Sequence, residues 1–168
     1  MPSRRTILAG LSGTLVGMAG CGALSGVPGY IQSKHIDGWP ENGPNETVLG
    51  VGYDHQTNDV DSGVADRWER YVDDIDAPTI SDTFHEALQR EYQEVWYQAR
   101  FCSEQAASYG CILDFVDRDD FNRVQVPDRV RAKHLDEDNR IEVYSVLGTQ
   151  TFTDTEDEFS RTPSFLSR

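Results

Sequence analysis

Cations are scarce in this chain of 168 residues, where 15 Lys and Arg stand against 29 Asp and Glu for a formal net charge of −14. Phosphate contact needs clustered basic side chains that displace counterions, so a nucleic-acid partner held by a broad cationic surface is excluded. Lysine occurs only at Lys34 and Lys133. Long apolar runs are missing as well. The most apolar stretch, Ile7 to Gly20, has 14 residues, whereas a bilayer-spanning helix takes about 20. The chain is too short for a (β/α)₈ barrel, which needs about 250 residues.

Cofactor chemistry meets similar gaps. There is no C-x-x-C-H, which removes c-type haem. Both methionines, Met1 and Met18, lie near the start, and no His follows Cys111 before His134, which removes a type-1 copper site. His85-Glu86-Ala87-Leu88-Gln89 has glutamine where a helical zinc motif needs its second histidine. Asn58 to Gly63 has the outline of a calcium loop, but Val60 occupies a ligand position. Neither a G-x-S-x-G elbow, nor S-x-x-K, nor a glycine-rich phosphate loop occurs. No cofactor and no metal are expected.

What is present begins at the N-terminus. Ser3-Arg4-Arg5-Thr6-Ile7-Leu8 resembles a twin-arginine export signal, with Ile7 where phenylalanine is more usual, and Met18-Ala19-Gly20-Cys21 resembles a lipobox. With Arg4 and Arg5 ahead of an apolar stretch, small residues before the thiol, 18 Asp against 11 Glu and almost no lysine, the leader and composition resemble those of haloarchaeal secreted lipoproteins. The resemblance implies that residues 1–20 are a signal peptide removed on export, and that Cys21 carries a lipid. It places the mature chain at the extracytoplasmic face of the cell membrane. Cleavage takes the formal charge from −14 to −16. Two acyl chains are needed for stable anchoring, since one gives only reversible binding.

The mature chain reads as a lipidated tether over 21–29, one α+β domain over 30–148 and a tail over 149–168 expected to be disordered. Apolar runs from Tyr30 to Ile36 and Thr47 to Tyr53 predict two strands. Val64, Trp68, Tyr71, Val72 and Ile75 follow a helical spacing, with Asp61 or Ser62 as cap. Ser81 caps a longer expected helix, whose face runs Phe84, Leu88, Tyr92, Val95, Ala99, Cys102, Ala106, to an end at Tyr109-Gly110. Further apolar segments are Cys111–Val116, Val124–Val126, Arg129–Leu135 and Ile141–Leu147, the last two reading as a hairpin across Asp136 to Asn139. The expected fold is α+β, order β-β-α-α-β-β-β, a largely antiparallel sheet with two helices on one face.

Six sets of residues carry chemistry in this reading. With Cys21 lipidated, Cys102 and Cys111 are an even pair in an oxidising compartment and are expected to form a disulfide. Asn45-Glu46-Thr47 is an N-glycosylation acceptor. Arg129, Arg131 and Lys133, spaced by two, fall on one face of a strand as a candidate anion-binding stripe, or as cations paired with neighbours such as Glu142. Asp114, Asp117, Asp119 and Asp120 read as hydrated surface. Flat aromatics stack on sugars, and of the three tryptophans Trp39, in a Gly/Pro loop, is the one expected to be exposed. Asp54, His55 and His134 are the acid/base candidates if the domain is an enzyme. The favoured function is a non-catalytic binding or envelope-interaction module, held to the membrane through Cys21 and meeting an anionic ligand or an envelope protein.

Overall fold

The computed structural model describes residues 26–55, 57–104 and 110–150. Cys21, Arg4, Arg5 and almost all of the expected tail lie outside the described residues.

Seven strands and two α-helices follow one another as β1 (Val27–Trp39), β2 (Glu46–Asp54), β3 (Asp59–Val64), α1 (Asp82–Glu91), β4 (Glu94–Ser103), β5 (Cys111–Phe115), α2 (Arg118–Arg123), β6 (Asp128–Leu135) and β7 (Arg140–Thr149), with a 3₁₀ turn, Asp66–Tyr71, between β3 and α1. The sheet order is β3-β2-β1-β4-β5-β7-β6, and β6 pairs back onto the first residues of β1. Five strands, β1, β4, β5, β7 and β6, thereby close into a barrel. Numbered as barrel strands, the order around the ring is 1-2-3-5-4, with β5 and β7 parallel and α2 between the third and fourth strands. The β2–β3 hairpin, the 3₁₀ turn and α1 are an insertion between the first two barrel strands.

The α+β expectation is therefore overturned, since strands make up 51 % of the described residues and helix 18 %. The first expected helix is only the 3₁₀ turn, and Val64 ends β3. The second begins as expected, with Phe84 N–H donating to Ser81 Oγ at 3.1 Å, but it stops at Glu91. What was read as its second half is β4, a central barrel strand. Tyr97, Ala99 and Phe101 alternate inward there, at the spacing of two that a strand requires. The β6–β7 hairpin forms where the sequence placed it, and β1 begins at Val27, inside the stretch read as tether.

A bulge gives β1 its inner face. Ile31 and Ile36 are five residues apart and both fully buried, which strict alternation forbids. An extra residue between Ile31 and Ser33 shifts the register and turns Lys34 inward with them. The core runs continuously from the barrel (Ile31, Phe101, Val130, Ile141) to the helices (Trp68, Phe84, Leu88, Phe121). The helices thus lie against the inner side of the sheet. The other side of β2, β1, β4 and β5 carries no helix among the described residues.

Candidate functional site

Cross-strand register decides what the uncovered face presents. Asp37 lies opposite Trp96, Trp39 opposite Glu94, His35 opposite Gln98 and Ser33 opposite Arg100. Gln98 in turn faces Phe115, and Arg100 faces Leu113. Paired residues share a face, so Asp37, His35, Trp96, Gln98, Arg100, Leu113 and Phe115 lie side by side.

Within this patch three rings form a row across the strands. The Trp39 and Trp96 centroids are 4.8 Å apart and tilted by 47°, and Trp96 meets Phe115 edge-on at 5.0 Å. Trp39 is 36 % exposed and Leu113 42 %, so the row opens to solvent at both borders. Trp96 Nε1 donates to Glu94 Oε2 at 3.2 Å, and Thr47 Oγ1 donates to Asp37 Oδ1 at 2.8 Å. Each carboxylate keeps further acceptor positions beside the rings. On the β2 side, Gly50 and Gly52 stand opposite His35 and Ser33. A side chain at Gly50 would begin 3.2 Å from His35 Nδ1, so glycine keeps this part of the face shallow. Burial lowers the pKa of His35, partly offset by Asp37, and its Nε2 lies 3.1 Å from Ser33 Oγ.

The acid/base candidates are not brought together. His55 sits at the end of β2, with its Nε2 3.3 Å from Tyr30 Oη. Tyr30 faces Arg129, and His134 is five residues farther along β6, roughly 17 Å at strand spacing. His134 instead spans the seam of the barrel. Its Nε2 lies 2.8 Å from Asp114 Oδ2 on β5 and its Nδ1 lies 2.7 Å from Asp136 Oδ1. The hydrogen bond to Asp114 raises its pKa, and Asp136 adds to the effect. Since β5 and β7 share a single residue pair, Phe115 with Arg140, this contact and the Arg140–Asp117 ion pair at 2.8 Å clamp the weakest seam. The Asp114 and Asp117 assigned to hydrated surface are thus structural partners.

The basic stripe does share an outer face, with Arg129, Arg131 and Lys133 exposed while Val130 and Ala132 are buried. Arg129 is held by Glu104 through two contacts of 2.9 and 2.8 Å, so one of its three cations is already neutralised. Lys133 stands opposite Glu142 in register, whose carboxylate accepts from Tyr144 Oη at 3.0 Å. Asn45 is exposed just before β2. Cys102 and Cys111 form the expected disulfide, as directly opposed residues of β4 and β5. Among the described residues no group of three or more His, Cys, Asp or Glu side chains is placed to hold a metal ion.

Two features escaped the sequence. One is Trp96, within the span read as the second helix, whose outward position follows only once β4 is read as a strand. The other is Lys34, whose side chain is fully buried. Its Nζ donates to Val124 O at 2.7 Å, Gln125 Oε1 at 3.1 Å and Pro78 O at 3.3 Å, and lies 4.1 Å from the Phe121 ring centre. Burial pushes its pKa down to about 7 against a smaller pull from Asp128. Three donors meeting three acceptors bind the residues after α2 and the segment before α1 to the barrel. That is a structural tie.

The chain matches no family model, no curated protein and no solved structure.

Proposed function

We propose that this protein is exported, trimmed before Cys21 and held by a lipid at the outer face of the membrane, where its barrel serves as a non-catalytic binding module. The observation that carries this reading is the course of β1. The strand starts at Val27, six residues after the cysteine, and ends at Trp39. Thirteen strand residues reach up to roughly 40 Å when straight, and the bulges shorten this somewhat. Val27 and the aromatic row at Trp39 therefore lie at opposite ends of one continuous strand.

The uncovered face carries its aromatic row at the end of β1 remote from Val27. The acidic surface suits concentrated salt, where the Debye length falls to about 3 Å at 1 M and contacts must work at short range. Aromatic and hydrogen-bonding contacts meet that condition, whereas long-range attraction does not. Asp54 and His55 lie at the end of β2 and His134 at the barrel seam, so the three acid/base candidates are not gathered at one place.

Changing Cys21 to serine is expected to move the protein from the membrane fraction to the medium, as followed by immunoblot of fractionated cultures. Unchanged retention in membranes would overturn the anchoring.

A further inference from the structure

We propose that Arg131 and Lys133, on the outer face of β6, hold the phosphate groups of anionic lipids in the membrane that carries the Cys21 anchor, as a second and weaker attachment. The inference rests on reading Cys21 as lipidated and names a protein surface that meets the same membrane.

Three observations support this partner. The first is reach. Cys21 precedes Val27 by six residues, so a lipid on its thiol is attached no more than about 20 Å from the start of β1. Strand β6 pairs with these first residues of β1, Val27 with Ala132 and Pro28 with Arg131. Neighbouring strands lie about 4.8 Å apart, which keeps both cations within reach of that bilayer surface. The second is availability. Val130 and Ala132 are buried, and Arg131 and Lys133 alternate with them on the exposed side. Arg129 is held by both oxygens of Glu104. Among the described residues, neither Arg131 nor Lys133 has an ion-pair partner. Glu142 stands opposite Lys133, and its carboxylate accepts from Tyr144 Oη.

The third is charge. In a chain with 29 acidic and 15 basic residues, these two cations stand about 7 Å apart on one strand face and select a ligand that is negative at short range. A guanidinium takes a phosphate through two parallel hydrogen bonds, and an ammonium takes one as a point charge. Such contacts, at about 2.8 Å, fall within the Debye length of about 3 Å that molar salt leaves. A lipid surface supplies phosphates side by side, and the anchor holds the domain next to them, which compensates for weak single contacts. Asp136, Glu137 and Asp138, in the turn beyond Lys133, are repelled by the same phosphates. The bilayer is therefore met by the side of β6 and not by the turn.

Lysine chemistry gives a single-site test. Lys34 is fully buried, so Lys133 is the one exposed lysine side chain of the sequence. Protein extracted from membranes with its lipid is inserted into vesicles of phosphatidylglycerol or of phosphatidylcholine in molar salt and treated with acetic anhydride. The rate at Lys133 is read from the mass of its peptide. Acetylation is expected to be about threefold or more slower on phosphatidylglycerol. Arg131→Gln, at an exposed position, is expected to remove most of that protection. Equal rates on the two lipids would overturn the inference, as would protection that Arg131→Gln leaves whole, which a general surface field would give. The same protection on phosphatidylcholine with inorganic phosphate added would overturn the lipid in favour of a soluble anion. Protein that leaves both kinds of vesicle on flotation would overturn the anchoring itself, and this inference with it.

Discussion

Replacing Lys34 by methionine is expected to destabilise the fold by about 1–3 kcal/mol near pH 6.5, and by roughly 2 kcal/mol more at pH 9. Methionine keeps the apolar stem in the barrel but leaves Val124 O, Pro78 O and Gln125 Oε1 without the ammonium that now donates to all three. Unsatisfied buried acceptors cost about 1–3 kcal/mol. Relief of the ammonium's desolvation works in the opposite direction and keeps the net loss moderate.

The pH dependence follows from the depressed pKa of Lys34, about 7 in the fold against about 10.4 in an unfolded chain. Between these values the unfolded state holds the proton and the folded state does not, so stability rises with pH across that window, by at most about 1.4 kcal/mol per unit. His134 acts in the other sense. Its pKa is raised in the fold, so the stability it contributes is complete below the unfolded value and is lost as pH rises through the folded one. Burial also raises the pKa of Tyr97, to about 12, and that of Tyr30, which confines a clean comparison to pH below about 9.5. Urea unfolding of both proteins at pH 6.5, 8 and 9 isolates Lys34, because the other groups cancel in the difference. A difference that is constant or shrinks with pH would refute the assignment of a buried, depressed ammonium.

Loss of the Cys102–Cys111 disulfide is expected to have an effect of similar size. The bond closes a sequence separation of 9, for which the chain-entropy model gives roughly 2.5–3 kcal/mol. Geometry adds a local consequence. Strand β5 has one extended partner, β4, and only a single residue pair with β7. Its Ile112 and Leu113 are 40 % and 42 % exposed, so packing contributes little to holding it. In a Cys102→Ser/Cys111→Ser variant, the urea midpoint should fall and amide exchange over 111–115 should accelerate more than in β6 or β7. An unchanged midpoint would mean that the barrel closes β5 without the bond.

These two sites also show which parts of the molecule are legible in the sequence. The disulfide follows from cysteine parity and export, and the β6–β7 hairpin from two apolar runs around Asp136 to Asn139; both are local signals. The span from Phe84 to Cys102 is ambiguous by nature. Phe84 and Leu88 genuinely share a helical face, and Tyr92, Val95, Ala99 and Cys102 continue that spacing. Val95, Tyr97, Ala99 and Phe101 equally satisfy a strand. No Gly or Pro marks the break after Glu91. Tertiary context decides it. Tyr92 packs against Gly38, where an added Cβ would meet the ring at 2.5 Å, and residues 94–103 complete the sheet beside β1. Choosing the helix there hid β4, and with it the barrel and the outward position of Trp96. Lys34 was hidden by the bulge in β1, since only the odd spacing of Ile31 and Ile36 hints that alternation is broken.

The proposed anchoring holds the barrel outside the cell through residues that precede β1. Labelling of intact cells tests this most directly, using Glu41→Cys, an exposed position two residues beyond Trp39, and a membrane-impermeant maleimide. With Cys21 lipidated and Cys102 bonded to Cys111, the new thiol is the one available for reaction. Membrane-bound protein labelled at position 41 without breaking the cells is the predicted result; labelling only after lysis would contradict it.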